Sequence, residues 1–311
     1  KRGGGIYASE SNIIVSLGAL VNVAKNSAKE AGGGFFLEKN SHVGIIGSKT
    51  KLLVNENKCD KGAGFYGLTK SSLTLSSGAS AVCRKNVALG SGGCGIFNNF
   101  DLVVTDQDSN FIIDENQGLG AGAGEGAGGL YIVSAILNIS NGAVVQLKNN
   151  SAVKGTGGGI CAKYKTSIKL TGENTRLVVE QNFAASEGGG ITVMDESFFT
   201  VDSSAVLEVR NNVALKNGGG ILLADKGTFL NVNGMNSQLL IVNNTAVTGS
   251  GGGIAMRTGA SLGIFAPNIF KTNSAKENGG AIGYAAATNT DDGGALWLDR
   301  DIELVLEYAN F

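Results

Sequence analysis

The sequence predicts an all-β chain wound as a right-handed parallel β-helix, a three-sheet solenoid of about ten coils of about thirty residues. Three observations predict it. Glycine-rich clusters recur about every thirty residues. Upstream of nearly every cluster stands an asparagine, with an apolar residue three places before it and a small residue two places after. Each repeat also holds three short runs of alternating apolar and polar residues, and nowhere does a helical 3.6 period persist.

Each part of the repeat has a physical reason. The clusters, such as Gly32-Gly33-Gly34, Gly157-Gly158-Gly159 and Gly188-Gly189-Gly190, suit corners with unusual backbone angles where successive coils approach without side chains. The first strand follows the glycines ("GGGITV", "GGGILL"), and the second precedes a polar turn ("SIKLTGEN", "ILNISNGA"). The third runs into the asparagine ("RLVVEQN", "VLEVRNN"). Stacked at about 4.8 Å, ten such coils make a rod about 50 Å long, with equivalent positions in columns. Asn26, Asn57, Asn86, Asn116, Asn150, Asn182, Asn212, Asn244 and Asn273 form one such column. Their amides are expected to bond backbone groups and the neighbouring asparagine. The small residue that follows, as in Ala88, Ala152 and Ala184, fills a narrow interior.

Composition excludes several classes. Forty-nine glycines with one proline and 42% hydrophobic residues describe a folded chain, not a disordered one. A net charge of -1 gives no footprint for nucleic acid. No apolar run reaches the roughly 18 residues of a transmembrane helix. A single domain over 1–311 is expected. "KRGGGIYA" enters a repeat directly and "DRDIELVLEYANF" shows no clear cap, so the expectation is a segment of a longer chain or a rod open for stacking.

The "FKTN" of Phe270–Asn273 with the "GGAI" of Gly279–Ile282, and the "GGAL" of Gly293–Leu296, resemble the repeat of chlamydial polymorphic membrane proteins. Most other copies read Gly-Gly-Gly and carry valine, leucine or isoleucine in place of phenylalanine. The resemblance implies a pectin-lyase-like β-helix in a surface autotransporter adhesin, and hence an extracellular setting.

Strand alternation predicts which residues leave the core. Two places after the glycines, Tyr7, Phe36, Tyr66, Phe97 and Tyr131 are expected to climb one outer face. Such a ladder can meet another copy, lie under the protein's own loops, or stack sugar rings. On the third strand Leu53, Val82, Ile112, Val178 and Leu240 form a second greasy strip. Charges of alternating sign, as in Arg84, Asp114, Lys148, Glu180 and Arg210, read as solvated stabilising ladders.

No residue cluster commits the chain to catalysis, a metal or a cofactor. His42 is the one histidine, and the foremost carboxylates are Asp291-Asp292 and the turn "DQDSN" at Asp106–Asn110, which lacks the glycine and distal glutamate of a calcium loop. "GEGAGG" at Gly124–Gly129 lacks the strand-to-helix setting of a nucleotide site. The four cysteines lack metal-ligand spacing. Cys59 and Cys94 are candidates for an internal pair, and Cys161, on the aromatic column, for a bridge to another chain. Asn138, Asn149 and Asn243 head sequons expected to face outward, as glycosylation requires.

The expected function is a non-catalytic, extracellular building block of a filament, appendage or coat, meeting copies of itself or related β-helix proteins. A cell-surface adhesin for a receptor or glycan is the alternative, and a polysaccharide lyase or hydrolase is the alternative from another class.

Overall fold

A computed structural model describes residues 1–120, 126–234, 236–284 and 303–306. Among them every regular element is a strand, and every strand pairing is parallel to the coil before or after it. The coil that starts at Gly157 is representative. Its strands are Ile160–Lys163, Ser167–Thr171, Arg176–Glu180 and the two-residue Phe183–Ala184. Each lies in register on the next coil: Ile160 on Ile191, Ser167 on Phe198, Arg176 on Val206 and Phe183 on Val213. Repetition gives three parallel sheets. One has eighteen strands and holds the first two strands of each coil, one has nine and holds the third, and one has eight two-residue strands. The solenoid has about nine turns.

Alternation places the core. In the representative coil Ile160, Ala162, Ile168, Leu170, Leu177 and Val179 are fully buried, and their counterparts in other coils stack above and below them. Side chains that reach this interior need no polar partner, and each fully buried leucine or valine contributes roughly 1.5–3 kcal/mol.

Two kinds of corner shape the coil. At the glycines, Gly188 has φ +63° and turns the chain back against Thr192, while a Cβ on Gly189 would collide with the carbonyl of Gly219 in the next coil. The first glycine supplies the left-handed turn and the second the close approach. At the asparagines a ladder runs one way along the rod. The Asn57 backbone N–H and Nδ2 both donate to Asn86 Oδ1, at 2.9 and 3.0 Å, while Nδ2 also donates to Val23 O in the preceding coil. Asn86, Asn116, Asn150, Asn182, Asn212 and Asn244 repeat the arrangement. The residue before each asparagine, Gln181 for example at φ 55°, adopts the left-handed conformation that closes the corner.

The fourth glycine cluster corrects one expectation. Cys94 occupies the site of the third glycine, and Gly95 pairs with Phe65 and Leu130 as the first strand residue. Ile96 therefore takes the outward place beside Tyr66, and Phe97 lies in the core, fully buried against Phe100 at 4.6 Å between ring centroids. The Phe100 ring fills the space left by Gly67, the register partner of Phe97 in the preceding coil. Cys94 faces the inward column of the third strand, where Cys83 stands. The two form a disulfide with Cα atoms 5.8 Å apart, so the internal pair is Cys83–Cys94 and not Cys59–Cys94.

Candidate functional site on the outer columns

The observed first-strand column reads Tyr7, Phe36, Tyr66, Ile96, Tyr131, Cys161, Thr192, Leu222 and Ala255. Tyr7, Phe36 and Tyr66 stack in parallel, with centroids 5.6 and 5.4 Å apart. Phe36 is only 1% exposed: tyrosine rings flank it, and the Arg2 guanidinium stands 5.4 Å from its centroid. Tyr7 is exposed and donates its hydroxyl to Glu38, which raises the phenol's pKa above the ordinary value. Tyr66 and Tyr131 are half-buried. The polar-tipped ends of this ladder thus reach solvent while its middle is self-covered.

Higher on the column the cover is complete. Cys161, Thr192, Leu222 and Ala255 are fully buried although they point away from the core. The chain before the glycines folds back over the first two, with Thr156 Oγ1 3.6 Å from Cys161 Sγ and Glu187 O accepting from the Thr192 hydroxyl at 3.4 Å, while Leu222 and Ala255 pack with Met194 and Ala224. Glu187, in that returning segment, accepts from Arg257 at 3.0 Å and from Asn217 at 2.8 Å, tying three coils together. The expected bridge from Cys161 to another chain is therefore corrected: burial pushes its thiol pKa up to about 11 and seals it from solvent. Cys59 is likewise free and buried.

The third-strand strip holds its outward register: Leu53, Val82, Ile112, Gln146, Val178, Glu208 and Leu240 follow one another. Leu53, Val82, Ile112 and Leu240 are half-buried. Val178 is only 8% exposed, so it offers little surface. It sits between Gln146 and Glu208, and Arg176 and Arg210 both bridge to Glu208 beside it. The charge columns form ion pairs, Arg84–Asp114 at 2.9 Å and Arg210–Glu180 at 2.7 Å, each worth at most about 1 kcal/mol at such exposure. Asn149 and Asn243 are exposed and Asn138 half-buried.

The chemistry-bearing residues are dispersed. His42 Nδ1 lies 2.7 Å from Ser72 Oγ, and Asp101 follows Ser72 in register. A nucleophilic relay needs the imidazole between serine and carboxylate, and here the serine is in the middle. The Asp106 carboxylate accepts from the Ser77 N–H at 3.1 Å and so caps the matching turn of the preceding coil. Asp291 and Asp292 lie outside the described residues. A shallow cleft is lined by Ser134, Tyr164, Lys165, Asp195, Glu196, Asp225 and Lys226. Burial, together with Asp225 alongside, holds the Asp195 carboxyl above its ordinary pKa against the opposing pull of Lys163. Among the described residues, no group of three or more His, Cys, Asp or Glu side chains is placed to hold a metal ion.

One outer column escapes a reading keyed to the glycines. Three places after each asparagine stand Leu89, Leu119, Val153, Ala185, Leu215 and Val247, on six successive coils. Their backbone N–H groups extend the ladder, Leu119 to Ala88 O at 2.9 Å and Val153 to Gly118 O at 2.9 Å. Leu89, Val153, Leu215 and Val247 are exposed, and Leu119 and Ala185 half-buried. Aligning the repeats on asparagine reveals this stripe; aligning them on glycine hides it, because the intervening loops differ in length.

Fold and surface together define a parallel β-solenoid whose outer columns are continuous. Over 218 residues, 63% of this chain, it is 24% identical to "Probable outer membrane protein PmpB" of Chlamydia muridarum. The chain is matched to 12% of that protein's length. No protein-family model matches the chain, and no solved structure does.

Proposed function

We propose that the chain is a non-catalytic structural or adhesive module of a cell surface, which works by contact between its outer columns and other copies of itself or related β-helix proteins. The observation that carries this reading is the continuity of the apolar outer stripe from Leu89 to Val247 over six successive coils. It is supported by the likeness to a probable outer membrane protein, which fits a surface setting. Electron microscopy and sedimentation of the native chain should show concentration-dependent association. Isolated short rods at every concentration would overturn it, and so would turnover of a polysaccharide. The stacked Tyr7–Phe36–Tyr66 face favours a second reading, a platform for sugar rings. In that case Tyr7→Ser with Tyr66→Ser should lower glycan-array binding at least tenfold and leave association unchanged.

A further inference from the structure

We infer that the aliphatic stripe from Leu89 to Val247 is the contact surface of an antiparallel, two-fold symmetric pair of rods. The inference rests on the self-association reading and selects its surface and symmetry. Along the six coils from Leu89 to Val247 the stripe carries no charge. It is closed at one end by Asp60 and at the other by Lys276, which occupy the same position after Asn57 and Asn273. The next position along the chain carries Lys61 and Glu277 in these same two coils, and between them Lys154 and Lys216, which an antiparallel pair sets opposite Ser186 and Gly120 and a parallel pair sets opposite themselves.

This order of charges distinguishes the possible pairings. A two-fold axis between the coils of Val153 and Ala185 sets the coil of Asn57 in one copy against the coil of Asn273 in the other. Asp60 then faces Lys276 and Lys61 faces Glu277, at both ends. Between them Leu89 faces Val247, Leu119 faces Leu215 and Val153 faces Ala185. A parallel pair sets each coil against itself, so Asp60 meets Asp60 and Lys276 meets Lys276, and like charges oppose contact. Eight coils at about 4.8 Å and a width of about 12 Å give roughly 450 Å² per copy, the size of a weak interface. Copies held together on one surface gain from high local concentration, so a weak contact suffices there.

Disulfide trapping tests the pairing in the intact chain. Leu89→Cys and Val247→Cys are made as separate variants and oxidised alone and mixed. The antiparallel pair brings these positions together only between different variants, while identical positions stay about 24 Å apart. The mixture should cross-link at least tenfold more than either variant alone. Adding Asp60→Lys to the Leu89→Cys chain should lower the yield about fivefold, and adding Lys276→Asp to its Val247→Cys partner should restore it. Cross-linking of either variant with itself would overturn the antiparallel symmetry. Association that persists without any trapping would overturn the stripe while sparing the self-association reading; loss of association altogether would overturn both.

Discussion

At the residue scale the asparagine ladder shows how polar groups can be buried without penalty. Asn182 Oδ1 accepts from the Asn150 N–H and Nδ2, and Asn182 Nδ2 donates to Leu147 O and Asn212 Oδ1, all at 3.0 Å. The amide uses both donors and both acceptor sites. Asn182→Ala leaves the Asn150 N–H, one Asn150 amide hydrogen and the Leu147 carbonyl buried and unpaired. A loss of about 3–6 kcal/mol is expected in chemical denaturation, against about 1 kcal/mol for Asn26→Ala, which is half-buried and loses fewer partners. Asp195 makes a different prediction. Its folded pKa is raised, chiefly by burial, so the charged form is disfavoured and stability falls as pH rises through the range above 3.8. Asp195→Asn should raise the melting temperature at neutral pH and leave it unchanged near pH 3, where both states are protonated. Equal gains at both pH values would point to a steric cause instead.

At the scale of the element, the Cys83–Cys94 bridge fastens the end of a third strand to the glycine corner that begins the next coil. It closes a loop of sequence separation 11, which corresponds to about 3 kcal/mol of chain-entropy stabilisation. Reductant should therefore lower the unfolding free energy by about that amount, read as a shift in the denaturant midpoint. Cys59 and Cys161, with thiol pKa values pushed up to about 11 by burial, should stay inert to thiol reagents until the chain unfolds. The repeat was legible in the sequence because glycine and asparagine each answer a local demand of the corner. The place of Phe97 was not. Cys94 stands where a glycine is usual and a glycine begins the strand, so the run Gly92–Gly95 admits two registers one residue apart. Nor could alternation alone foresee that Cys161 and Leu222 are outward yet buried, since that depends on how the preceding loop folds back over the one and which neighbours pack on the other.

At the scale of the whole molecule, the columns are the core's scaffold and, in the function proposed above, also the surface that would meet a partner. The asparagine spacing varies from 29 to 34 residues, yet the third-strand register is kept from coil to coil, because the loops and turns between strands absorb the difference, as in the one-residue shift between Asn98 and Phe100. Substitutions in those loops should therefore change surface contacts more readily than the fold. The same geometry governs the response to tension. Backbone hydrogen bonds between coils run nearly parallel to the long axis, so a pull on the two ends peels a terminal coil and loads its bonds one after another. When a boundary yields, its coil pays out about thirty residues, roughly 100 Å of chain from a layer about 4.8 Å thick. The Cys83–Cys94 link withholds its own loop from that release. Under force the stack behaves as a reel, lengthening some twentyfold coil by coil, so an attachment made through it would absorb a sudden load by unwinding before it lets go.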